Sequence, residues 1–453
     1  MVAAIDKQFE WDESQQTAID RCCDMQQRIV PITGVAGTGK TTLIREVYQR
    51  LTDAGYRCVL CAPTGKAAKR IQEATGIPAM TIHRLLEYPH PGERDEKTGK
   101  ALVAGVPKRD KRNPLGQEVI LADEYAMVNK EVHRNLIDAL PPGGRICMFG
   151  DINQLKPIES AKQANPESPF QAALRRFEGT VLQRIHRQQE GSGIAFNGDR
   201  ILRGQVPQRK DDFIMRITDD PVRVMEDVAM DFLMNKDLNL GTNVGQVISC
   251  TRTSWIGTHK INVLLQGLLN PSPVGGRISV PRHTWSVKYP INVGVGDKVI
   301  WTENSYDLRD EWDREDDDGN YIPCPPEKTI MNGESGVVVE VTHDKGFHID
   351  VGDRIVEVPP KQTVLTRSGD LRPHDPRKTM DLGFCITTHK SQGSEWPHVV
   401  YIMNKTTMFM QSRHNMYTAI SRGRETVTLI SDQRSLQHSV FMKESLADKR
   451  NQK

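Results

Sequence analysis

The most informative segment of this chain is a glycine-rich turn that joins an apolar run to a helical pattern. The apolar run covers residues 29–32, and apolar residues recur at helical spacing over residues 43–51. The turn reads GVAGTGKTT, in which glycines allow successive backbone N–H groups to face phosphate oxygens. We expect Lys40 to bind the β- and γ-phosphates and Thr41 to place its hydroxyl on Mg²⁺. The segment therefore predicts a nucleotide-binding α/β domain.

A second apolar run, residues 119–122, ends in two acidic residues, Asp123 and Glu124. Near a phosphate loop, one carboxylate at a strand end can hold Mg²⁺ and another can orient or deprotonate the attacking water. We assign the first role to Asp123 and the second to Glu124, although the same pattern alone is often a solvated strand end. The pair predicts hydrolysis of the nucleotide rather than its storage.

A third apolar run, residues 145–149, ends in polar residues that include Asp151 and Gln154. The Gln154 amide can hydrogen-bond the γ-phosphate or its water and lose that bond after cleavage, which would make it a sensor of the nucleotide state. The role of Asp151 stays open, since its carboxylate could equally cap the following turn.

The charge balance excludes a strongly basic protein, because 60 Lys and Arg face 58 Asp and Glu. Any binding of a polyanion must therefore be local. One local group of cations comprises Lys66, Lys69 and Arg70, and another lies in residues 405–424, which hold four Lys or Arg and no acid. Such groups can bind phosphates, but they can equally form the solvated face of a helix.

Signals of membrane and disulfide-rich proteins are missing from the sequence. No apolar run approaches the roughly 18 residues of a membrane span, and the first residues lack the basic start and apolar stretch of a secretory signal. The eight cysteines are scattered, and Cys58 and Cys61 lie in a strand pattern without further metal ligands. We expect a cytoplasmic protein with reduced thiols.

Two stretches break the alternation of strands and helices. Residues 293–365 contain short β-type runs separated by Gly, Asp and Asn turns, which predicts a small all-β barrel. Residues 87–117 mix basic and acidic residues with Gly and Pro, and we interpret them as a hairpin-like insertion.

A series of short motifs, spread over residues 15–430, resembles one family of motor proteins. The segments TGVAGTGKTT, APTGKAAKRI, TIHRLL, DEYA and GDINQLKPI resemble the first motor lobe of superfamily 1 DNA helicases, in particular the RecD-like and phage Dda-like branch. The segments LQRIHRQQEGSGI, ITTHKSQGSEWPHV and NMYTAISRGRETVTLI resemble motifs of its second lobe. The resemblance implies two RecA-like α/β lobes, with ATP between them and single-stranded DNA across the top.

The family's organisation also predicts domain boundaries. We expect the first lobe over residues 1–175, with the hairpin insertion near residues 87–117. The second lobe is expected over residues 176–290 and 376–440, an inserted SH3-like β domain over residues 291–375, and a C-terminal tail over residues 441–453.

The resemblance assigns roles to individual residues. Gln15 is expected to contact the adenine base, whereas Arg187 and Arg422 are expected to reach the γ-phosphate, where a guanidinium can donate in a fork. The nucleotide-binding set is Gln15, Gly34, Val35, Ala36, Gly37, Thr38, Gly39, Lys40, Thr41, Thr42, Gly393 and Glu395. The DNA-binding set is Pro63, Thr64, Lys66, His83, Thr388, His389 and Lys390.

Together these expectations describe an ATP-dependent DNA helicase that uses ATP and Mg²⁺. The family implies movement from 5′ to 3′ by a monomer that acts on single strands and duplex junctions, with single-strand-binding or replication and recombination proteins as candidate partners. One alternative is a DNA-stimulated translocase that remodels protein–DNA complexes without separating strands. A less favoured alternative is a small-molecule kinase, which the paired acids and the second-lobe arginines argue against.

Overall fold

The computed structural model describes residues 11–89, 105–156, 167–184, 192–234, 244–280, 290–303, 330–352, 354–360, 362–365 and 371–445. The chain forms two compact units, Met1–Tyr88 with Pro107–Glu190 and Pro89–Val106 with Gly191–Lys453. Across the described ranges, no helix has both the length and the apolar character needed to cross a membrane. The seven cysteines in these ranges are free thiols.

Six strands of the first unit form a parallel sheet. They are β1 (Ile29–Gly34), β2 (Cys58–Ala62), β3 (Ala79–Thr81), β4 (Val119–Ala122), β5 (Arg145–Gly150) and β6 (Thr180–Leu182). The strand order is β3-β2-β4-β5-β1-β6, and every neighbouring pair is parallel. Because β6 pairs with β1, the sheet continues past the domain boundary expected at residue 175.

Helices cover both faces of this sheet. They are α1 (Glu13–Cys23), α2 (Lys40–Asp53), α3 (Gly65–Thr75), α4 (Ile82–Leu85), α5 (Lys130–Asp138) and α6 (Pro169–Arg176). Successive side chains of a strand point to opposite faces, and β5 follows this rule. Cys147 and Phe149 belong to the apolar core formed with α1 and α2, whereas Ile146 and Met148 belong to the core formed with α4, α5 and α6.

The second unit contains one parallel sheet and further antiparallel strands. Its strands are β7 (Phe213–Ile217), β8 (Gly245–Ser249), β9 (Arg277–Val280), β10 (Ile291–Gly294), β11 (Lys298–Trp301), β12 (Ser335–Val341), β13 (Phe347–Asp350), β14 (Ile355–Val358), β15 (Gln362–Leu365), β16 (Leu371–His374), β17 (Met380–Leu382), β18 (Cys385–Thr387), β19 (Trp396–Ile402) and β20 (Gly423–Ser431). The parallel sheet has the order β18-β8-β19-β20-β7.

The second unit has one helix before β7, two helices between β7 and β9, and three helices after β18 among its described residues. They are α7 (Gly193–Leu202), α8 (Pro221–Met234), α9 (Thr258–Leu269), α10 (Thr388–Ser391), α11 (Arg413–Ile420) and α12 (Gln433–Phe441). The two sheets with their helices place the chain in the α/β class, as the sequence predicts.

An antiparallel sheet of order β14-β13-β12-β11-β17 lies between β8 and β18 in the sequence. Its strands fall largely where the sequence predicts an all-β insertion. The sheet nevertheless extends beyond the boundary expected at residue 375, because β17 pairs with β11. The predicted hairpin near residues 87–117 and the predicted tail over residues 441–453 lie partly outside the described residues.

Candidate functional site

Three strand ends of the first unit meet at one edge of its sheet. In the strand order, β5 lies between β4 and β1, and all three run parallel. Thr33 of β1 is level with Gly150 of β5, and Ala122 of β4 is level with Met148. The phosphate loop, the acidic pair and the polar residues after β5 therefore all leave the sheet at its carboxyl edge, where ligands of open α/β sheets bind.

The phosphate loop is shaped by glycines and held by its own lysine. Gly37 and Gly39 adopt positive φ angles of 87° and 79°, a conformation that L side chains rarely adopt. The Lys40 Nζ donates to the carbonyl oxygens of Gly34 at 2.7 Å and Val35 at 3.0 Å. Lys40 begins α2, so its ammonium lies at a helix N-terminus, which favours bound anions.

Close packing explains a further glycine of the loop. A Cβ at Gly34 would lie 2.4 Å from the Thr38 Oγ1 and 3.0 Å from the Leu182 Cβ, too close for either atom. The Thr38 hydroxyl in turn donates to the Val35 carbonyl at 2.9 Å. Side chains within the expected nucleotide-binding segment, residues 34–40, thus hydrogen-bond the carbonyl oxygens of the same segment and hold it in a narrow turn.

Gln15, for which a contact with the adenine base stays a prediction, lies beside the phosphate loop. It is completely buried, and its Nε2 donates to the Thr38 carbonyl at 3.1 Å. Its Oε1 accepts from the Asp12 N–H at 3.1 Å, which forms a capping box at the start of α1. In this structure the Gln15 amide ties α1 to the phosphate loop.

Asp123 has the properties of a cation ligand. Its Oδ1 is buried and has no hydrogen-bond partner within the described part of the chain. Burial, reinforced by the neighbouring Glu124 carboxylate, raises the pKa of Asp123 to about 6, while Lys40 and Arg70 act in the opposite direction. Mg²⁺ prefers such carboxylate oxygens together with hydroxyls and phosphates, so Asp123 and the Thr41 hydroxyl fit this ion.

Glu124 is held in an unusual backbone conformation. Its φ of 49° lies in the left-handed region, which costs on the order of 1–3 kcal/mol for a residue with a side chain. The side chain is buried, and its Oε1 lies 3.9 Å from the Arg70 Nη1. Arg70 is a site residue that the sequence pattern assigned only to a general basic group on α3.

Two polar residues follow β5 as expected. Gln154 is buried, and its Oε1 has no hydrogen-bond partner among the described residues, which suits an amide that contacts a ligand. The Asp151 Oδ1 accepts from the Asn153 N–H at 2.9 Å, and its carbonyl accepts from the Gln154 N–H at 3.2 Å. Asp151 therefore organises the turn, which was one of the two roles left open for it.

The expected DNA-binding residues of the first unit lie after β2 and in α4. Thr64, which follows Pro63, caps α3, because its hydroxyl accepts from the Ala67 N–H at 3.2 Å. Lys66 is half-buried in the first turn of α3. His83 is exposed, and its ring centroid lies 4.8 Å from that of Tyr88.

Thr388 in the second unit, which belongs to the expected DNA-binding set, has a buried side chain. Its hydroxyl donates to the Asn415 Oδ1 at 2.8 Å, and that oxygen also accepts from the Tyr401 hydroxyl at 3.1 Å. His389 and Lys390, the next two residues of α10, are half-buried. The side chain of Thr388 therefore joins α10 to α11.

The basic segment of residues 405–424 is less exposed than its sequence indicates. Arg422 is buried and donates to the Thr418 and Ser394 carbonyl oxygens at 3.0 and 3.3 Å. Arg413 donates to carbonyl oxygens at the end of α12. Two of the four cations are thus engaged within the unit, and neither belongs to a solvent-facing basic stripe.

The remaining expected nucleotide-binding residues occupy varied positions. Gly393 follows α10 with a φ of 71°, and Glu395 is half-buried just before β19. Thr42 is exposed in the first turn of α2. Arg187 lies outside the described residues, so its role stays a prediction, as does the reach of Arg422 to the γ-phosphate.

Comparisons with known proteins agree with this arrangement. Residues 15–160 match the model of the AAA domain family, and residues 382–430 match that of the UvrD-like helicase C-terminal domain. The ATP-dependent RecD2 DNA helicase of Deinococcus radiodurans is 28% identical over 413 residues, which are 91% of this chain and 48% of that protein. The chain thus spans about half the length of this relative.

Two further relatives extend the comparison. The ATP-dependent DNA helicase dda of Enterobacteria phage T4 is 32% identical over 143 residues, 31% of each chain. The Pif1 helicase from Bacteroides, solved with ADP-AlF3 and single-stranded DNA, superposes with a TM-score of 0.53 at 20% identity over 94% of both chains, and this likeness concerns the fold alone. Together with the matched motifs, these findings support the resemblance of the chain to the RecD-like and Dda-like branch of superfamily 1 DNA helicases.

Proposed function

We propose that this protein is an ATP-dependent DNA helicase that couples ATP hydrolysis to translocation on single-stranded DNA and to duplex unwinding, in the 5′ to 3′ direction. The observation that carries the proposal is the group at the carboxyl edge of the first sheet. There, the phosphate loop with Lys40, the Asp123 carboxylate and the Gln154 amide follow adjacent parallel strands, and the Asp123 Oδ1 has no hydrogen-bond partner among the described residues.

The chemistry follows from these side chains. Lys40 exchanges its two loop carbonyls for β- and γ-phosphate oxygens, and Thr41 with Asp123 holds Mg²⁺, which neutralises charge on the phosphates when bound. Glu124 takes a proton from water as the water oxygen bonds to the γ-phosphorus. The bond from that phosphorus to the β,γ-bridging oxygen breaks, and ADP and phosphate are the products. The Gln154 amide reports the presence of the γ-phosphate.

Arg70 supports this role of Glu124. Its guanidinium is close enough to orient the Glu124 carboxylate, which we assign as the base. The backbone of Glu124 is also held in the left-handed conformation, and such strain is characteristic of functional sites.

The domain plan and the DNA contacts are part of the same proposal. The two units correspond to two RecA-like lobes, and the antiparallel strands between β8 and β18 correspond to an SH3-like module. Pro63, Thr64, Lys66, His83, His389 and Lys390 contact the DNA strand. For Thr388 we propose an indirect contribution through α10, because its hydroxyl is bonded to Asn415.

Two assays test the proposal. ATP turnover should rise severalfold or more when single-stranded DNA is added, and duplexes with a 5′ tail should be separated while duplexes with a 3′ tail are not. Lys40→Ala should abolish both activities. Stimulated turnover without strand separation would instead identify a translocase that remodels protein–DNA complexes, and turnover indifferent to DNA would overturn the motor function.

A further inference from the structure

An exposed tryptophan lies in the loop between β8 and α9. Trp255 has 61% of its surface exposed, although a large aromatic side chain is normally at least partly buried. The Lys260 Nζ lies 4.0 Å from the centroid of its ring, so a cation–π contact holds one face of the indole. The rest of the ring is open to solvent. The indole therefore has a fixed orientation and an accessible surface.

The loop that carries Trp255 is closed by backbone hydrogen bonds and by close packing at a glycine. The Thr258 and His259 N–H groups donate to the carbonyl oxygens of Thr251 and Arg252 at 3.0 and 3.2 Å. A Cβ at Gly257 would lie 2.5 Å from the Arg252 carbonyl oxygen, so only glycine permits this closure. The loop thus binds back onto the first turn of α9 and presents Trp255 outward from a rigid base.

The sequence on both sides of this loop carries positive charges and no negative ones. Arg252 and Lys260 are exposed on either side of Trp255 in the sequence. Residues 238–296 contain five Lys or Arg and no Asp or Glu, in a chain whose overall net charge is +2. Cations beside an exposed aromatic ring complement the two components of a single nucleic-acid strand, its phosphates and its bases.

The loop also follows the carboxyl end of β8, next to the carboxyl end of β18 in the second sheet. β8 and β18 are parallel neighbours, and Ser249 at the end of β8 is level with Thr387 at the end of β18. The Asn262 Nδ2 on α9 donates to the Cys385 carbonyl at 2.9 Å, which fixes α9 against β18. The Trp255 loop therefore leaves the sheet beside α10, the helix that carries His389 and Lys390.

We propose that Trp255, Arg252 and Lys260 form a stacking site for single-stranded DNA, in which the indole stacks on one base and the two cations bind the flanking phosphates. The inference rests on the proposed function. It adds to that function a residue, Trp255, that contacts the face of a base rather than the DNA backbone. Stacking of this kind tolerates any base, since every base has a π face.

Binding of a fluorescent oligothymidylate, measured by anisotropy at low salt, tests the site. Trp255→Ala should weaken binding about 5- to 150-fold, the range that stacking of a single base supports, whereas Trp255→Phe should retain most of the affinity. Phe441→Ala is the matched control, because Phe441 is 79% exposed at the end of α12, and it should bind like the wild type. Each variant's unfolding midpoint should stay near that of the wild type.

A strand with abasic positions separates stacking from charge. On a fully abasic strand the difference between wild type and Trp255→Ala should disappear, whereas Lys260→Ala should weaken binding to both strands. Wild-type binding with no loss in Trp255→Ala would overturn the stacking site and leave the helicase function standing. Absence of DNA binding and of DNA-stimulated turnover in the wild type would instead contradict the proposed function.

Discussion

The Arg70 Nη1 lies 3.9 Å from the Glu124 Oε1, which links α3 to the second residue after the end of β4. These two residues are far apart in the sequence, but β2 and β4 are neighbours in the sheet and the segments that follow them are adjacent. The contact makes Arg70 a positioning residue for the carboxylate that we assign as the base.

Replacement of Arg70 should therefore slow hydrolysis more than it weakens nucleotide binding. We expect Arg70→Ala to lower kcat about 10- to 100-fold, the effect of a small misplacement of a catalytic group, with little change in KM for ATP. Arg70→Lys should recover part of the loss, and Lys69→Ala serves as the neighbouring control. Steady-state turnover with saturating single-stranded DNA measures both constants, and a normal kcat in Arg70→Ala would contradict this role.

Asp123 should weaken the fold at neutral pH in the absence of ligands. Its folded-state pKa is raised to about 6 by burial and by Glu124, above the ordinary value near 3.9, so the folded state favours the protonated form. Stability from this group is present below about pH 4 and is lost as the pH rises through about 6.

Asp123→Asn should remove that dependence. At pH 7.5, without nucleotide or Mg²⁺, we expect the variant to be more stable than the wild type by on the order of 2 kcal/mol, while its ATP turnover is abolished. At pH 4 the two proteins should unfold at similar denaturant concentrations. Urea unfolding at both pH values gives the comparison, and a variant less stable at pH 7.5 would refute the burial cost.

Gln15 should stabilise the phosphate loop through the hydrogen bond that its side chain donates to Thr38. Gln15→Ala removes the acceptor for the Asp12 N–H and the donor to the Thr38 carbonyl, and loss of a typical hydrogen bond costs about 0.5–1.5 kcal/mol. We expect a lower unfolding midpoint and a higher KM for ATP. Gln16→Ala, on the neighbouring half-buried position, is the control, and an unchanged midpoint in Gln15→Ala would mean that the bonds contribute little.

Arg422 should be needed for the stability of the second unit. Its buried guanidinium donates to two backbone carbonyls and to the Ser421 hydroxyl, and Arg422→Ala leaves those acceptors buried without these donors. A loss of about 2–4 kcal/mol is expected from such a network. Chemical denaturation of Arg422→Ala and of the exposed neighbour Arg424→Ala provides the measurement. Equal stability of the two variants would show that Arg422 is dispensable for folding.

The main residues of the site in the first unit could be predicted from the sequence, because each of them directly follows a recognisable strand or turn. Lys40 and Thr41 follow a strand and a glycine turn, and Asp123 and Glu124 end another strand, so their meeting at one sheet edge needs only the parallel order. The Arg70 contact depends on which strands are neighbours, and periodicity within α3 does not reveal that.

Burial of polar side chains was the main feature that the sequence did not indicate. Gln15 and Thr388 belong to motifs that read as ligand contacts, yet their polar atoms bind Thr38 and Asn415 in the folded chain. The same limitation affects charge: residues 405–424 read as a basic surface, but Arg413 and Arg422 are engaged internally. The exposed Trp255 was missed for the converse reason, because an aromatic residue before a helix most often packs into a core.

The order of strands in the second sheet has a consequence for how this chain is made. β8 lies between β18 and β19 in the sheet, but both of these partners are synthesised only after the whole antiparallel insertion, and β20 follows later still. Contacts that join distant parts of a chain form slowly, because the intervening loop must first close. On the ribosome, β8 must therefore wait with both of its edges unpaired, and a chaperone that shields this apolar strand would be needed most during that interval.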